Sequence, residues 1–153
     1  MKTSKNSQND LTSTIHLSHF RPVPATHALE VALEKLSQDE QRIIGGLSPE
    51  KAMLLGVSGP AKGFRFLLDS AEITIGRQVT SDISLDDVTV SRKHAQISRE
   101  VTPKGAVHIL EDSKSLNGTY VNAVSITSVP LKDGDEIQFG KFRFVFFSGK
   151  VNS

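Results

Sequence analysis

Twelve residues near the middle of the chain, DVTVSRKHAQIS at 87–98, set Ser91, Arg92, Lys93 and His94 between two apolar stretches. A hydroxyl beside three basic-capable groups suits four chemistries: a nucleophile with its base, a basic patch, a metal site, or a cradle for an anion. Two further clusters bear on the choice. Gly76-Arg77 closes the run EITIGR, and Ser115-Leu116-Asn117-Gly118 lies between AVHILED and TYVN. Together the three clusters offer two guanidiniums, hydroxyls and a carboxamide that both donates and accepts. That inventory suits an oxyanion with many lone pairs held beside a peptide backbone.

The other chemistries find less support. Ser91 and His94 lack the G-x-S-x-G elbow of an activated serine, and no third orienting group is marked. A phosphate loop fails at Gly134 and Gly140-Lys141, where five residues intervene and Phe142 stands at the magnesium-binding hydroxyl position. With no cysteine in the chain, thiolate metal sites and disulfides are excluded; His16 and His19 alone are too few ligands. Nucleic-acid binding through Arg92 and Lys93 is the strongest rival, and it would be salt-steep and indifferent to phosphorylation. A net charge of +1 over 153 residues argues against the broad basic field such binding uses.

These clusters need a scaffold. Short runs rich in Ile, Val, Leu and Phe (AMLLGVS, FRFLL, EITI, DISL, AQISRE, AVHILED, TYVN, DEIQF, FRFVFF) are separated by turn signals such as SGPAKG, TPKG and KDGD. That punctuation predicts an all-β sandwich or barrel with its core over about 50–149. Alternation sets Phe142, Phe144 and Phe146 on one face, so half of each strand is expected to be buried. Each chemical cluster falls at a strand end, where one edge of a sandwich collects loops. Before the core, Leu29, Ala32, Leu33 and Leu36 recur at helical spacing. They predict one short amphipathic helix over 27–42, with Thr26 as N-cap and Gly45-Gly46 as its end. Residues 1–26 are polar and read as a disordered tail. No apolar run is long enough to cross a bilayer and no signal peptide is evident, so the expected location is cytoplasmic.

GR-x4-DI-x-L, S-R-K-H, S-L-N-G-T-Y-V-N and L-x-D-G-D-E-I-x-F-G follow one another in order. From about Met53 to Phe147 the chain resembles the forkhead-associated (FHA) domain, a phosphothreonine-binding module. The resemblance implies an eleven-stranded β-sandwich with peptide-binding loops at one end, and a binding protein with no enzyme activity, cofactor or metal. It divides the chain into a regulatory tail at 1–26, a helix and linker at 27–49, the FHA domain at 50–149 and a short tail at 150–153.

Residue by residue, the resemblance gives Arg77 the phosphate, which a planar fork can grip with two parallel bonds. Ser91 donates its hydroxyl to a phosphate oxygen, and Arg92 is a second guanidinium in reach. Asn117 holds the peptide backbone. Ser115 and Lys114 approach from the same loop. Leu116 stands where many members of the family carry Ser or Thr, so that position makes no phosphate contact. His94 braces the loops, and Gly76 and Gly118 allow close approach or positive φ.

The layout, a threonine-bearing tail ahead of one FHA domain, is similar to the actinobacterial group of glycogen-accumulation regulators and oxoglutarate-dehydrogenase inhibitors. That similarity implies a protein that binds and inhibits 2-oxoglutarate dehydrogenase or glutamate dehydrogenase when unphosphorylated. A Ser/Thr kinase would switch it by phosphorylating the tail, which then occupies its own domain. Leu11 replaces the first of the group's two adjacent threonines, leaving Thr12 as the candidate and Thr14 as the second. Ile15 and Leu17 supply an apolar residue three places after each. About 40 flexible residues would give a span on the order of 35 Å and an effective concentration near the millimolar range. Membrane insertion and nucleic acid are not expected.

Overall fold

In the computed structural model, residues 25–34 and 36–149 are described, with side chains from Glu30 onward. Thr12, Thr14, His16 and His19 lie outside the described residues. Eleven strands run between Ala52 and Ser148. They are β1 (Ala52–Ser58), β2 (Arg65–Leu68), β3 (Glu72–Gly76), β4 (Ile83–Ser84), β5 (Ala95–Thr102) and β6 (Gly105–Asp112). The series continues with β7 (Thr119–Val121), β8 (Val124–Ile126), β9 (Ser128–Pro130), β10 (Glu136–Phe139) and β11 (Phe142–Ser148). They form two sheets, ordered β2-β1-β11-β10-β7-β8 and β4-β3-β5-β6-β9. All pairs are antiparallel except β3 with β4. The all-β sandwich expected from the sequence is the fold.

Period-two patterning builds the space between the sheets. Leu54, Ile75, Ile97, Leu110, Ile137, Phe139, Phe144 and Phe146 all turn inward and are almost fully buried. Pro130, which has no N–H to give to a ladder, sits on the edge strand β9.

The amino-terminal part differs from expectation in two ways. In place of one helix over 27–42 there are two, α1 (Ala25–Glu34) and α2 (Gln38–Gly45). Thr26 lies inside the first turn of α1, while the cap that matters is Ser37. Its hydroxyl accepts from the Glu40 amide at 3.1 Å, and its own amide donates to the Glu40 carboxylate at 3.0 Å. This reciprocal capping box stabilises a new helix start and breaks the longer periodic run.

The second difference concerns burial. Met53, Leu55, Val145 and Phe147 point away from the inter-sheet core and are nevertheless buried, in a separate cluster with Ala32 and Leu36. The two helices therefore cover the outer face of β1 and β11, making a third layer there. The expectation that only one face of the β11 run is buried does not hold. Arg143, with its side chain exposed, is the only residue of that strand from Phe142 to Phe147 left outside both layers. Glu40 on α2 also meets Arg65 on β2 at 3.9 Å. Among the described residues no helix is long and apolar enough to cross a membrane.

Candidate phosphopeptide-binding rim

The loops β3–β4, β4–β5 and β6–β7 meet at one end of the sandwich, and backbone bonds lock them together. The Arg77 amide donates to the Ser91 carbonyl at 3.0 Å, and the His94 amide to Ile75 at 2.9 Å. Ser113 in turn donates to the His94 carbonyl at 2.9 Å. Gly76 makes the approach possible. A Cβ there would sit 2.0 Å from the Arg92 carbonyl oxygen, so any side chain would push the β4–β5 loop away.

His94 is fully buried and its ring ties two loops. Nδ1 accepts from the Ser91 amide at 3.0 Å, and Nε2 lies 2.9 Å from the Gly118 carbonyl, to which it can only donate. Phe139 packs edge-on to the ring. Both nitrogens are therefore occupied, and neither can take a proton from the Ser91 hydroxyl. Gly118 turns the chain with φ 86°, the left-handed region that a glycine enters without strain.

On this frame Ser91 Oγ accepts from the Leu116 amide at 2.9 Å, leaving its own proton to donate elsewhere. Asn117 is exposed, and its Nδ2 donates to the Thr89 carbonyl at 2.9 Å, so its carboxamide oxygen is open to an incoming amide. The Arg77 side chain is half-buried at the rim, and its guanidinium pairs with no carboxylate among the described residues. Arg92 and Lys114 are exposed on either side, Lys114 with φ 59°. Arg77, Ser91 and Asn117 thus stand on one rim, tied through the Ser91 carbonyl, the Leu116 amide and the Thr89 carbonyl.

Ser115 is placed differently from expectation. Its hydroxyl and amide both turn inward to the Asp112 carboxylate, which also accepts from Thr119 Oγ1 at 2.7 Å. Its proton is spent on the loop. Burial works against the charge on Asp112, but the bonds from Ser115 and Thr119 outweigh it and hold the carboxyl below its ordinary value.

Comparison with known proteins decides the family. An FHA domain profile matches residues 73–140. Glycogen accumulation regulator GarA of Mycobacterium tuberculosis (strain ATCC 25618 / H37Rv) is 50% identical over 106 residues, covering 69% of this chain and 63% of that protein. An oxoglutarate dehydrogenase inhibitor of Corynebacterium jeikeium is 49% identical over 106 residues, covering 69% of this chain and 71% of the inhibitor. The chain belongs to the FHA domain family. A solved FHA domain described for its phosphothreonine-dependent interactions superposes with a TM-score of 0.56 at 27% identity, over 67% of this chain and 98% of that one. The chain spans somewhat less than two thirds of the length of the regulators it matches.

The FHA rim also uses residues that sequence reasoning passed over. Asp87 accepts from the amide and hydroxyl of Thr89, and Thr89 Oγ1 accepts from the Lys141 amide at 3.1 Å. The Thr89 hydroxyl and amide hold the Asp87 carboxyl below its usual value. This Asp-x-Thr turn presents the carbonyl that orients Asn117, and its spacing was a readable signal. Beside Asn117 lies a depression of about 440 Å³ floored by Tyr120, Ala123 and Gln138, with Lys141 at its edge. Val79, Val88 and Leu116 stand 82–89% exposed, one on each of the three loops. Among the described residues no group of three metal-ligating side chains occurs.

Proposed function

We propose that this chain is a non-catalytic, cytoplasmic phosphothreonine-reading regulator. Its tail threonine, Thr12 ahead of Thr14, is the substrate of a Ser/Thr kinase and, once phosphorylated, the ligand of its own FHA domain. Unphosphorylated, the chain binds and inhibits 2-oxoglutarate-linked enzymes, with 2-oxoglutarate dehydrogenase or glutamate dehydrogenase as clients. The observation that carries the reading is the joint rim of an Arg77 guanidinium that pairs with no carboxylate among the described residues, a Ser91 hydroxyl with a spare proton and the Asn117 carboxamide. In this role Arg77 and Ser91 bind the phosphate with Arg92 and Lys114 nearby, Asn117 orients the peptide, and His94, Gly76, Gly118 and Ser115 hold the loops. The client assignment draws on the names of the two relatives, a glycogen accumulation regulator and an oxoglutarate dehydrogenase inhibitor. Exposed Val79, Val88 and Leu116 give the same loops an apolar surface for a folded partner.

Charge arithmetic supports phosphate over carboxylate. A phosphothreonine brings close to two charges and three acceptors, and each charge-assisted bond contributes about 1.5–3 kcal/mol. Intramolecular capture is compatible with the helical layer. Residues 13–24, twelve in all, separate Thr12 from the start of α1, not the forty or so that an undocked helix would leave. Thirteen peptide steps reach at most about 45 Å, enough to cross a domain whose radius of gyration is about 13 Å.

Titration of the protein with tail peptides phosphorylated at Thr12 or Thr14 tests the reading. Micromolar binding is expected for one of them and none for the unphosphorylated or Glu-substituted peptide. Arg77→Ala should weaken it by about 100-fold or more, the loss of two charge-assisted bonds. Equal affinity for phosphorylated and plain peptides would overturn it.

A further inference from the structure

The rim has a second flank that the phosphate reading leaves unused. On the outer face of β3 and β5, a pocket of about 310 Å³ is lined by Gln78, Thr80 and Ser81 from the β3–β4 loop and Lys93 from the β4–β5 loop. Gln96 and Ser113 close it on the remaining sides. Thr74, Ile75 and Ala95 complete the lining, so about half of it is apolar; the hydroxyls and carboxamides there can donate, and Lys93 is exposed with no ion pair among the described residues. Two carboxylates stand near it: Glu111, across the ladder from Gln96, and Asp82, which follows Ser81 in the loop. One oxygen of Asp82, Oδ2, already accepts from the Thr74 amide and hydroxyl, at 2.8 and 3.0 Å, and so is held in the loop brace.

The pocket adjoins the phosphate site without sharing its residues. Gln78 follows Arg77 directly, and Lys93 is two residues past Ser91. Gly76, whose missing Cβ faces both the Arg92 carbonyl and Ser81 Oγ, is the hinge between the two. The depression beside Asn117 lies in the other sheet, formed by β7, β10 and the β10–β11 loop. A peptide anchored at Arg77 and Asn117 therefore has one flank over each hollow.

We infer that the Lys93 pocket is a subsite for a second anionic group on the ligand, an acidic side chain or another phosphate within about three residues of the phosphothreonine. The inference rests on the phosphothreonine reading of the rim. The chemistry is a tethered carboxylate or phosphate oxygen received by one ammonium and several hydroxyl and amide donors. Because the pocket is partly open, its contribution is that of a semi-exposed ion pair, a few-fold in affinity that fades with salt. The chain's own tail carries Asp10 two residues before Thr12, so the same subsite would favour Thr12 over Thr14.

The test is a set of phosphothreonine peptides with alanine flanks, in which one position at a time becomes Glu or phosphoserine. Binding to the full chain is measured by titration at low and high salt. An acid on one flank should tighten binding by about two- to fivefold, and phosphoserine should exceed Glu. Lys93→Gln should remove that gain while leaving the all-alanine peptide unchanged. A phosphopeptide that binds through Arg77 with no gain from any acid, or a gain that survives Lys93→Gln, overturns the subsite alone. Failure of every phosphopeptide to bind overturns the rim reading and the subsite with it.

Discussion

The Ser91 backbone amide donates to Nδ1 of His94 at 3.0 Å, while Nε2 of the same ring lies 2.9 Å from the Gly118 carbonyl. The pair that looked in sequence like a nucleophile and its base is a loop clamp. Its ring holds the β4–β5 loop and the β6–β7 loop at a fixed separation. His94→Ala leaves a cavity and two unpaired backbone groups, costing about 2–4 kcal/mol of stability. Phosphopeptide affinity should fall too, although no ligand contact is removed. Chemical denaturation with peptide titration checks both, and an unchanged affinity would mean that the loops hold without the ring. Nitrogen chemical shifts should report the Nε2–H tautomer.

Gly76→Ala tests the close approach in the same region. The new methyl would meet the Arg92 carbonyl at 2.0 Å, and relief requires the β4–β5 loop to move away from Arg77. Overpacking of this kind costs about 1–3 kcal/mol. Phosphopeptide affinity should fall as well, by about tenfold or more. Wild-type affinity in a folded Gly76→Ala protein would show that the loops are not held by this contact.

Much of this rim was legible because it depends on residue types that only a few geometries satisfy. Gly76-Arg77, Ser91 and Asn117 each announce a strand end with a donor, and period-two runs announce the strands between them. The direction of the Ser115 hydroxyl was not legible, since a serine three residues after Asp112 can face either the loop or a ligand. The helical layer was half legible. Val145 and Phe147 are apolar and alternate with Phe144 and Phe146, a continuous run that marks a strand covered on both faces. Reading the three phenylalanines as the buried face hid the second face. Ser37 and Glu40 likewise spell a capping box inside what the heptad-like spacing presents as one helix.

His108 predicts an acid-sensitive fold. It is 2% exposed, lies against Phe146, and neither ring nitrogen finds a partner among the described residues. Burial, with Arg99 adding like-charge repulsion, lowers its pKa from 6.5 to about 4. The unfolded chain binds a proton near pH 6.5 while the folded protein resists it, so stability is full above that pH and declines as pH falls toward 4. The loss amounts to about 3 kcal/mol. Below that, Asp87 and Asp112, whose folded values are also depressed, extend the decline as they become protonated. Urea denaturation between pH 7.5 and about 4 should show this slope, and His108→Leu should flatten it while raising stability near neutrality by about 1–2 kcal/mol. A His108→Leu protein that keeps the slope would place the titrating group elsewhere.

The helical layer should be separable from the binding rim. Leu36 is buried against the outer face of β1 and β11 with Ala32, Met53, Leu55 and Phe147, whereas Arg77, Ser91 and Asn117 hang from other loops. Leu36→Asp puts a charge into that contact, and losing the apolar anchor costs about 2–4 kcal/mol or more. Amide exchange over α1 and α2 should then rise toward that of open chain while β3, β5 and β6 stay protected, and added phosphopeptide should bind as before. The variant also lengthens the tether, because the chain between Thr12 and β1 is no longer pinned at Ala25. Capture of the phosphorylated tail in cis, read by competition with a free phosphopeptide, should therefore change in strength although the site does not. Strands that lose protection together with the helices would instead make the third layer an integral part of the sandwich.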